Sequence, residues 1–295
     1  MIDLKDLQCL AALARNRHFA RAASECGLSQ PAFSMRIRNL EERLDITIVR
    51  RGNRYQGLTH EGETVLGHAR QILDGVRTLE QDVRAARGDI TGSLILGAIP
   101  TAAAYAAHAV IWLKEAHPGV TIRIETANSL AIQQGVEVSA FDAGITYTEG
   151  ASRDLLTVDP LYDETYVLLA PTGIAPRVEG TATWQEAASL PLSLLEPSMQ
   201  NRRILDRIFA DAGAMPNVLV ETGGFMAAIV MAVQGVAATV VPKILVESLG
   251  PLEQTAILPL TSPDVKTSIC LVTPQREPQI PTVKALRSTL LSKSR

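Results

Sequence analysis

Residues 19–44 read FARAASECGLSQPAFSMRIRNLEERL, and this stretch decides how the front of the chain folds. Its first part has apolar residues at helical spacing and ends at Gly27: Phe19, Ala22, Ala23 and Cys26. Ser29 is then a good N-cap, and Pro31 suits the first turn of a new helix. The apolar residues of that helix recur at steps of four, three and four: Phe33, Ile37, Leu40 and Leu44. The pattern predicts two short helices joined by a tight, glycine-containing turn, with Leu4 to Leu13 forming an earlier helix.

The second helix of this pair carries polar and long side chains on its predicted outer face: Gln30, Ser34, Met35, Arg36 and Arg38. Such a pair has the form of a helix-turn-helix, in which Gln and Arg can make paired hydrogen bonds to base edges in the major groove. Ser and backbone amides mainly position phosphates. The alternative is an αα-hairpin whose polar face simply meets water.

The segment after this pair favours the nucleic-acid interpretation. Residues 50–57 read RRGNRYQG, between the apolar residues 46–49 and Leu58-Thr59, which predicts a short β-hairpin wing. Arg51 and Arg54 lie at its tip, and arginines in such a position can enter the narrow, electronegative minor groove.

The charge of the chain is divided unevenly. The whole sequence of 295 residues carries a net charge of −3, which by itself argues against nucleic acid. Residues 1–88, however, hold 14 Lys+Arg against 11 Asp+Glu, and residues 89–295 hold 14 against 20. Within residues 15–54 there are nine arginines, no lysine and four acidic residues. A basic front of this kind indicates a phosphate-rich partner.

A long helix is predicted from Thr59, its cap, to about Gly88. Its apolar positions alternate steps of four and three: Val65, Ala69, Ile72, Val76, Leu79, Val83 and Ala86. About 30 residues at ~1.5 Å each give a rod of roughly 45 Å, too long to bury against one small winged domain. We therefore expect this seam to pack against the same helix of a second chain. Packing on the rear of its own chain is the alternative.

These residues together resemble the winged helix-turn-helix signature of LysR-type transcriptional regulators. The resemblance runs without a gap over residues 1–62, and it rests on Leu4, Leu7, Phe19, Arg21-Ala22-Ala23, Ser29-Gln30-Pro31-Ala32, Ser34, Ile37, Leu40-Glu41, Leu44, Arg51, Arg54, Leu58-Thr59 and Gly62. It implies a DNA surface formed by Gln30, Pro31, Ser34, Arg36, Arg38, Arg51 and Arg54, with Arg54 in the minor groove. A two-fold dimer would then read an interrupted inverted repeat in promoter DNA.

The rear of the chain changes to short apolar strands that alternate with helices, which predicts largely parallel sheets with crossover helices. The resemblance implies a two-lobed α/β effector domain similar to periplasmic solute-binding proteins. We expect a winged helix-turn-helix domain over 1–58, a linker helix over 59–88 and an effector domain over 89–295. Lobe one would comprise about 91–162 and 267–295, and lobe two about 163–266, with crossings near 160–164 and 264–268.

Ligands of α/β sheets bind beyond the carboxyl ends of the strands. The candidate residues at those junctions are mostly hydroxyls, amides and free backbone N–H groups: Thr101, Ala102, Asn128, Ser129, Thr146, Glu196, Asn201, Gly223 and Gly224. This composition favours a small carboxylate or other oxyanion. A Ser, Thr or Asn at a helix start can equally be a cap only. Arg202 and Arg203 either pair with such an anion or face solvent.

Several function classes find no support in the sequence. There is no metal-ligand spacing, no phosphate-binding glycine loop and no nucleophile beside a histidine, so we expect no enzyme, no cofactor and no metal. Three scattered cysteines, Cys9, Cys26 and Cys270, are read as buried thiols, and the loop at 196–212, where peroxide-sensing members carry cysteines, has none.

The sequence also lacks an export signal and a bilayer-spanning stretch, so a cytoplasmic protein without a membrane partner is expected. The resemblance implies a homodimer or a homotetramer, and it admits RNA polymerase as a further partner. A solute-binding protein or a small-molecule enzyme with a helical N-terminal extension is the alternative function.

Overall fold

Three helices build the front of the chain in the computed structural model, which describes residues 2–50, 55–86, 89–177, 180–275 and 278–293. They are α1 (Leu4–Asn16), α2 (Phe19–Glu25) and α3 (Gln30–Leu44). Their apolar sides share one core, which includes Leu10, Leu13 and Phe33. Helices α2 and α3 are the predicted helix-turn-helix, and Ser29 caps α3 through its hydroxyl, which accepts from the Ala32 N–H at 3.4 Å.

The predicted wing forms with less strand than expected. Val49 and Leu58 make a single antiparallel bridge, and the Arg50 N–H donates to the Gly57 carbonyl at 3.0 Å. Regular strands do not form over 46–49, because a side chain accepts hydrogen bonds from the backbone N–H groups there. The Glu41 carboxylate accepts from the N–H groups of Ile48 (2.8 Å) and Val49 (3.1 Å).

The long helix α4 spans His60–Ala85 and begins where the sequence predicted. The Thr59 hydroxyl caps it, accepting from the Gly62 N–H at 2.9 Å, and also donates to the Thr47 carbonyl at 2.6 Å. Gly62 is required by close approach, since a Cβ there would lie 2.2 Å from the Ile48 carbonyl oxygen. The start of α4 is therefore held against the wing.

The described part of the rear contains eleven strands and seven α-helices. The strands are β1 (Gly92–Ala98), β2 (Val120–Thr126), β3 (Ala143–Tyr147), β4 (Leu156–Glu164), β5 (Tyr166–Pro171), β6 (Ala182–Thr183), β7 (Leu192–Leu195), β8 (Val218–Thr222), β9 (Thr239–Pro242), β10 (Thr255–Thr261) and β11 (Thr267–Pro274). The helices are α5 (Ala103–Ala116), α6 (Ser129–Glu137), α7 (Trp184–Ser189), α8 (Gln200–Asp211), α9 (Phe225–Val233), α10 (Lys243–Leu249) and α11 (Pro281–Lys293), and a single 3₁₀ turn, Pro100–Ala102, precedes α5.

These elements form two lobes. The first is a five-stranded sheet in the order β2-β1-β3-β11-β4, and the second combines a four-stranded sheet, β6-β10-β5-β9, with the parallel pair β7-β8. The chain passes from the first lobe to the second between Glu164 and Tyr166, and it returns between Thr261 and Thr267.

The prediction of largely parallel sheets is wrong for the strands around the crossings. Strand β1 is parallel to β2 and β3, but β11 is antiparallel to both β3 and β4, and β5 is antiparallel to β9 and β10. The reason is topological: one strand leaves a lobe where the other enters it, and two such strands side by side must run in opposite directions.

The front and the rear touch along α4. The Arg77 guanidinium pairs with the buried Asp142 carboxylate of the first lobe, and the Gln81 side-chain oxygen accepts from the Thr282 N–H at 3.3 Å. Within the described ranges, no helix combines the length and the apolar character needed to cross a bilayer.

Candidate functional site

The outer face of α3 is the candidate nucleic-acid surface. Phe33, Ile37 and Leu40 are buried in the domain core, which turns the opposite side of the helix outward. Gln30, Pro31 and Arg38 are exposed there, and Ser34 is half-buried. Met35 lies among them with 62% of its surface exposed. Four of the predicted DNA-binding residues thus share one accessible face.

Arg36, the fifth residue of α3 predicted to contact DNA, is half-buried and ion-paired at the edge of that face. Its guanidinium donates to the Asp6 carboxylate at 2.7 Å and lies 3.5 Å from Asp3. Arg43 reaches the other oxygen of Asp6 at 3.0 Å. Asp6 is 3% exposed, so α1 presents a buried carboxylate that holds two arginines of α3. Arg36 and Arg43 thus connect α3 to α1 through Asp6. Arg51 and Arg54, the predicted wing arginines, lie outside the described residues.

The predicted apolar seam on α4 is divided between two environments. Ala69 is 1% exposed, and Val65 is half-buried against the front core. This corrects the expectation that Ala69 faces a second chain, and the reason is that α1 packs against this part of α4. Farther along, Ile72, Leu79 and Val83 are exposed by 49%, 65% and 52%. Val76 is half-buried, and Ala86, the C-cap, is exposed. The open part of the seam therefore starts at Ile72.

The other side of α4 buries polar residues instead: Asp74, Thr78 and Gln81. Arg77 joins this side and bridges Asp74 (2.9 Å) and Asp142. Asp142 also accepts from the Ile95 N–H at 2.6 Å. Desolvation acts most strongly on the pKa of Asp142 and raises it, while Arg77 opposes the rise. No pattern in the sequence predicts this contact, because a polar stripe on a helix is usually solvated.

A cavity of about 420 Å³ opens between the two lobes. Five of the nine predicted ligand residues line it: Thr101, Asn128, Ser129, Asn201 and Gly223. The rest of its wall is Ile99, Pro100, Thr126, Ala127, Tyr147, Leu195, Ser198, Met199 and Gln200. The side chains come from the carboxyl ends of β1, β2, β3 and β7 and from the first turns of α6 and α8.

Four predicted ligand residues do not line this cavity. Ala102 and Thr146 are fully buried beneath it, because the side chain that β3 turns toward the ligand space is that of Tyr147. Glu196 lies next to Gly223. A Cβ atom added to Gly223 would be 3.7 Å from the Oε1 atom of Glu196. Gly224 serves as the N-cap of α9.

The cavity wall holds polar atoms without hydrogen-bond partners in the described part of the chain. They are the Ser129 hydroxyl and both amide atoms of Asn201, and these residues are only 6% and 4% exposed. The Thr101 and Tyr147 hydroxyls lie 3.3 Å apart beside them. Buried donors and acceptors usually have partners, so these unsatisfied atoms indicate a ligand or ordered water.

Charged side chains are absent from the described lining of the cavity. Arg202 is buried nearby, but its guanidinium donates to Asp206 (2.8 Å), Glu221 (2.9 Å) and the Leu195 carbonyl (2.8 Å). Arg203 turns away and donates to the Ser198 carbonyl at 2.7 Å. The favourable charge in the cavity comes instead from the N-termini of α6 and α8. Asn128 caps α6 by accepting from the Ala131 N–H at 2.8 Å, whereas no side chain caps α8.

A buried carboxyl lies under the floor of the cavity. Glu164, at the first crossing, accepts from the Tyr166 hydroxyl at 3.0 Å, and that hydroxyl lies 3.2 Å from Thr267 at the second crossing. Burial raises the pKa of Glu164 to about 7. Burial also raises the pKa of the Tyr147, Tyr162 and Tyr166 hydroxyls, and the nearby Glu164 carboxylate adds to each rise. All three tyrosines therefore stay protonated.

Comparison with known proteins agrees with this geometry. Residues 4–63 match the family described as bacterial regulatory helix-turn-helix protein, lysR family, and residues 87–295 match the LysR substrate binding domain. The chain therefore belongs to the LysR family of bacterial transcriptional regulators, which are DNA-binding proteins with an effector-binding domain and not enzymes.

Individual relatives cover nearly the whole chain. A hydrogen peroxide-inducible genes activator of Haemophilus influenzae is 27% identical over 281 residues, which are 92% of this chain and 90% of that protein. A full-length OxyR variant from Pseudomonas aeruginosa superposes with a TM-score of 0.78 at 22% identity, covering 98% of both chains. Full-length CbnR in complex with its target DNA gives 0.72 at 19% identity over 100% of both. These structures share the fold of this chain.

Proposed function

We propose that this regulator reads its operator with the exposed face of α3, through Gln30, Pro31, Ser34 and Arg38. The supporting observation is that these residues share one accessible face while Phe33, Ile37 and Leu40 hold the opposite face in the core. Arg51 and Arg54 are proposed to contact the wing-side backbone and minor groove. Arg36 is proposed to position α3 through Asp6.

The DNA-binding unit is proposed to be a homodimer joined along α4, with a homotetramer as a pair of such dimers. An apolar stripe on α4 is exposed to water, which is unfavourable unless a second chain covers it. It consists of Ile72, Leu79 and Val83. Two α3 helices related by a two-fold axis would meet two half-sites of an interrupted inverted repeat in promoter DNA. RNA polymerase is a further proposed partner, reached through the bound promoter.

The effector is proposed to be a small oxyanion, a carboxylate first, held in the cavity between the lobes. The unpartnered polar atoms of Ser129 and Asn201 carry this proposal, together with two helix N-termini and a wall without charged side chains. Because no cationic side chain lies in the described wall, such a site stabilises a singly charged anion better than a multiply charged one. Binding would act by favouring one arrangement of the lobes over another.

Thiol chemistry of the kind suggested by the peroxide-responsive relative has no support in the cavity. The three cysteines are at positions 9, 26 and 270, and none of them lines the described wall of the cavity. At the start of α8 the wall contains Met199, the N-cap, and Gln200, the first residue of the helix. Cys270 is fully buried in β11 of the first lobe. A reversible ligand fits these residues better than oxidation.

Base reading is tested with Gln30→Ala and a panel of operator variants. We expect reduced discrimination at one base pair per half-site, by about 1–3 kcal/mol, with binding to unrelated DNA unchanged. Gln8→Ala, an exposed glutamine on α1, is the matched control. An equal loss on every duplex would contradict base reading by Gln30.

The wing is tested separately with Arg54→Ala. If Arg54 neutralises a phosphate or enters the minor groove, its removal lowers operator affinity and reduces the salt slope of binding by about one. Unchanged affinity and an unchanged slope would show that Arg54 makes no such contact.

The effector site is tested by thermal unfolding of the full chain with carboxylates, sulfate-like anions and aromatic acids. A true ligand at 100 times its Kd should stabilise the protein by about 2.7 kcal/mol. Asn201→Ala and Ser129→Ala should remove that shift, whereas Ser248→Ala, on the exposed side of α10, should keep it. No shift with any anion, or an equal shift in all variants, would contradict the cavity as the effector site.

A further inference from the structure

A second cavity of about 420 Å³ lies at the junction of α1, α4 and the first lobe. Five arginines line it, and we call this site the basic junction: Arg15, Arg17, Arg70, Arg77 and Arg123. It shares no lining residue with the cavity between the lobes. A further cavity, of about 510 Å³, adjoins it beside the wing and shares Arg17 and Arg70.

Three of these arginines have carboxylate partners. Arg15 pairs with Glu25 at 3.3 Å, Arg123 pairs with Glu125, and Arg77 pairs with Asp74 and Asp142. Arg17 and Arg70 form no ion pair with any residue in the described ranges, although Glu63 lines the neighbouring cavity. The basic junction therefore keeps two guanidinium groups whose charge is not matched by a contacting acid.

Arg70 is the more significant of the two because it is half-buried. Burial lowers its pKa, and the nearby carboxylates of Glu63 and Asp74 only partly offset this. Arg77, on the same side of α4, has a buried Nε atom without a hydrogen-bond partner among the described residues. Partly desolvated guanidinium groups with spare N–H donors are typical of sites that receive an oxyanion from outside the chain.

We propose that the basic junction binds a small, multiply charged oxyanion, for which a phosphate ester is the best-fitting class. Guanidinium groups match phosphate oxygens with paired hydrogen bonds, and the volume admits a small metabolite rather than a bare ion alone. This site goes beyond the effector proposed for the cavity between the lobes, which has no charged side chain in its described wall.

Binding at the basic junction would tie the front of the chain to the rear. Arg15 and Arg17 belong to the C-terminal end of α1, Arg70 and Arg77 to α4, and Arg123 to β2 of the first lobe. An anion between them would favour the arrangement in which the winged domain lies against the first lobe. The same anion would thereby restrain the angle at which α3 meets DNA.

The test is isothermal titration of the full chain with inorganic pyrophosphate at constant ionic strength, with sodium chloride as the reference. We expect one saturable site per chain and at least tenfold weaker binding in both Arg70→Gln and Arg17→Gln. Arg207→Gln, an exposed arginine on α8 that lines neither cavity, should bind as the wild type does. Arg17 is exposed, so its variant keeps the test valid if Arg70→Gln disturbs the contact between α1 and α4.

Two outcomes would overturn the proposal. The first is wild-type heat indistinguishable from that of chloride. The second is undiminished binding in both Arg17→Gln and Arg70→Gln. Duplex DNA is the other source of the same phosphate chemistry. If Arg70→Gln lowers the salt slope of operator binding by about one while the wild type ignores pyrophosphate, the site serves the DNA backbone and the free-anion proposal is wrong.

Discussion

Glu164 is the buried carboxyl with the most consequence for stability. It is 2% exposed, its Oε2 atom has no hydrogen-bond partner among the described residues, and hydroxyl groups surround it rather than cations. Burial raises its pKa from 4.5 to about 7, and the hydrogen bond from Tyr166 only partly opposes that rise. Because the raised value belongs to the folded state, the folded chain holds a proton between these two pH values that the unfolded chain has released.

We therefore expect stability to fall as pH rises from about 4.5 to 7 and to level off above 7. Glu164→Gln keeps the shape without the charge, so its stability should match that of the wild type near pH 4.5 and exceed it above pH 7 by about 3 kcal/mol. Urea unfolding across this range checks the difference. Glu253→Gln, at an exposed position, is the control, and an Glu164→Gln curve parallel to the wild-type curve at every pH would contradict the prediction.

Asp6 is the residue on which the orientation of α3 depends. Its carboxylate receives Arg36 at 2.7 Å and Arg43 at 3.0 Å, and the side chain is 4% exposed. Asp6→Asn leaves two arginines without their buried partner, so we expect a loss of about 1–3 kcal/mol in stability and weaker operator binding. Asp45→Asn, an exposed C-cap that asparagine also suits, should change little. Wild-type stability in Asp6→Asn would contradict this role.

At the scale of elements, two glycines of α4 have opposite roles. Gly62 lies where a Cβ would be 2.2 Å from the Ile48 carbonyl oxygen, whereas a Cβ at Gly67 would have no atom within 4 Å. Gly62→Ala should push the wing from the helix and destabilise the front by about 1–3 kcal/mol. Gly67→Ala should stabilise the helix by about 0.5–1 kcal/mol. Thermal unfolding of the two variants checks this, and equal effects would show that the wing does not press on α4.

The exposed stripe of α4 is proposed to hold two chains together. Leu79→Glu places a charge at its most exposed apolar position, and we expect sedimentation to show a shift from dimer toward monomer together with weaker operator binding. Leu130→Glu, on α6, is the matched control, because Leu130 is also 65% exposed. A Leu79→Glu protein that remains fully dimeric would show that another surface joins the chains.

Elements with strong local signals could be predicted from the sequence, and elements fixed by distant contacts could not. Ser29, Thr59 and the spacing of Phe33 and Ile37 locate α3 and α4 without any tertiary information. Strands β4 and β10 have no clear apolar pattern, since both carry polar residues or proline and gain their pairing from β11 and β5, which are far away in sequence. The short helices α7 and α10 have only six or seven residues, too few to show a helical period.

The strand-to-helix junctions of the sequence predict where the ligand cavity lies, but they do not predict all the residues of its wall. Thr101, Asn128, Ser129, Asn201 and Gly223 were identified because each follows a strand. Thr146 was selected at the end of β3, but its neighbour Tyr147 lines the cavity, since the twist of β3 decides which of the two side chains faces the other lobe. Glu196 and Asn201 were selected at the start of α8, but Met199 and Gln200 between them also line the cavity.

The long-range contacts also explain how the two halves can influence one another. The Asp142 carboxylate of the first lobe forms an ion pair with Arg77 of α4. The Thr282 N–H of α11 donates to the side-chain oxygen of Gln81, also on α4. A movement of the first lobe must therefore either carry α4 along or break a buried ion pair. No residue in these contacts could be identified from sequence, because Arg77 and Asp142 are separated by 65 positions.

The most direct test is a footprint of the full chain on the DNA upstream of its own gene at low ionic strength. If two copies present α3 from a dimer built on α4, two protected half-sites of similar sequence should appear, with centres one helical turn or a whole number of turns apart. Protection of a single half-site, or no protection at all, would contradict the proposal that two copies of α3 bind DNA as a pair.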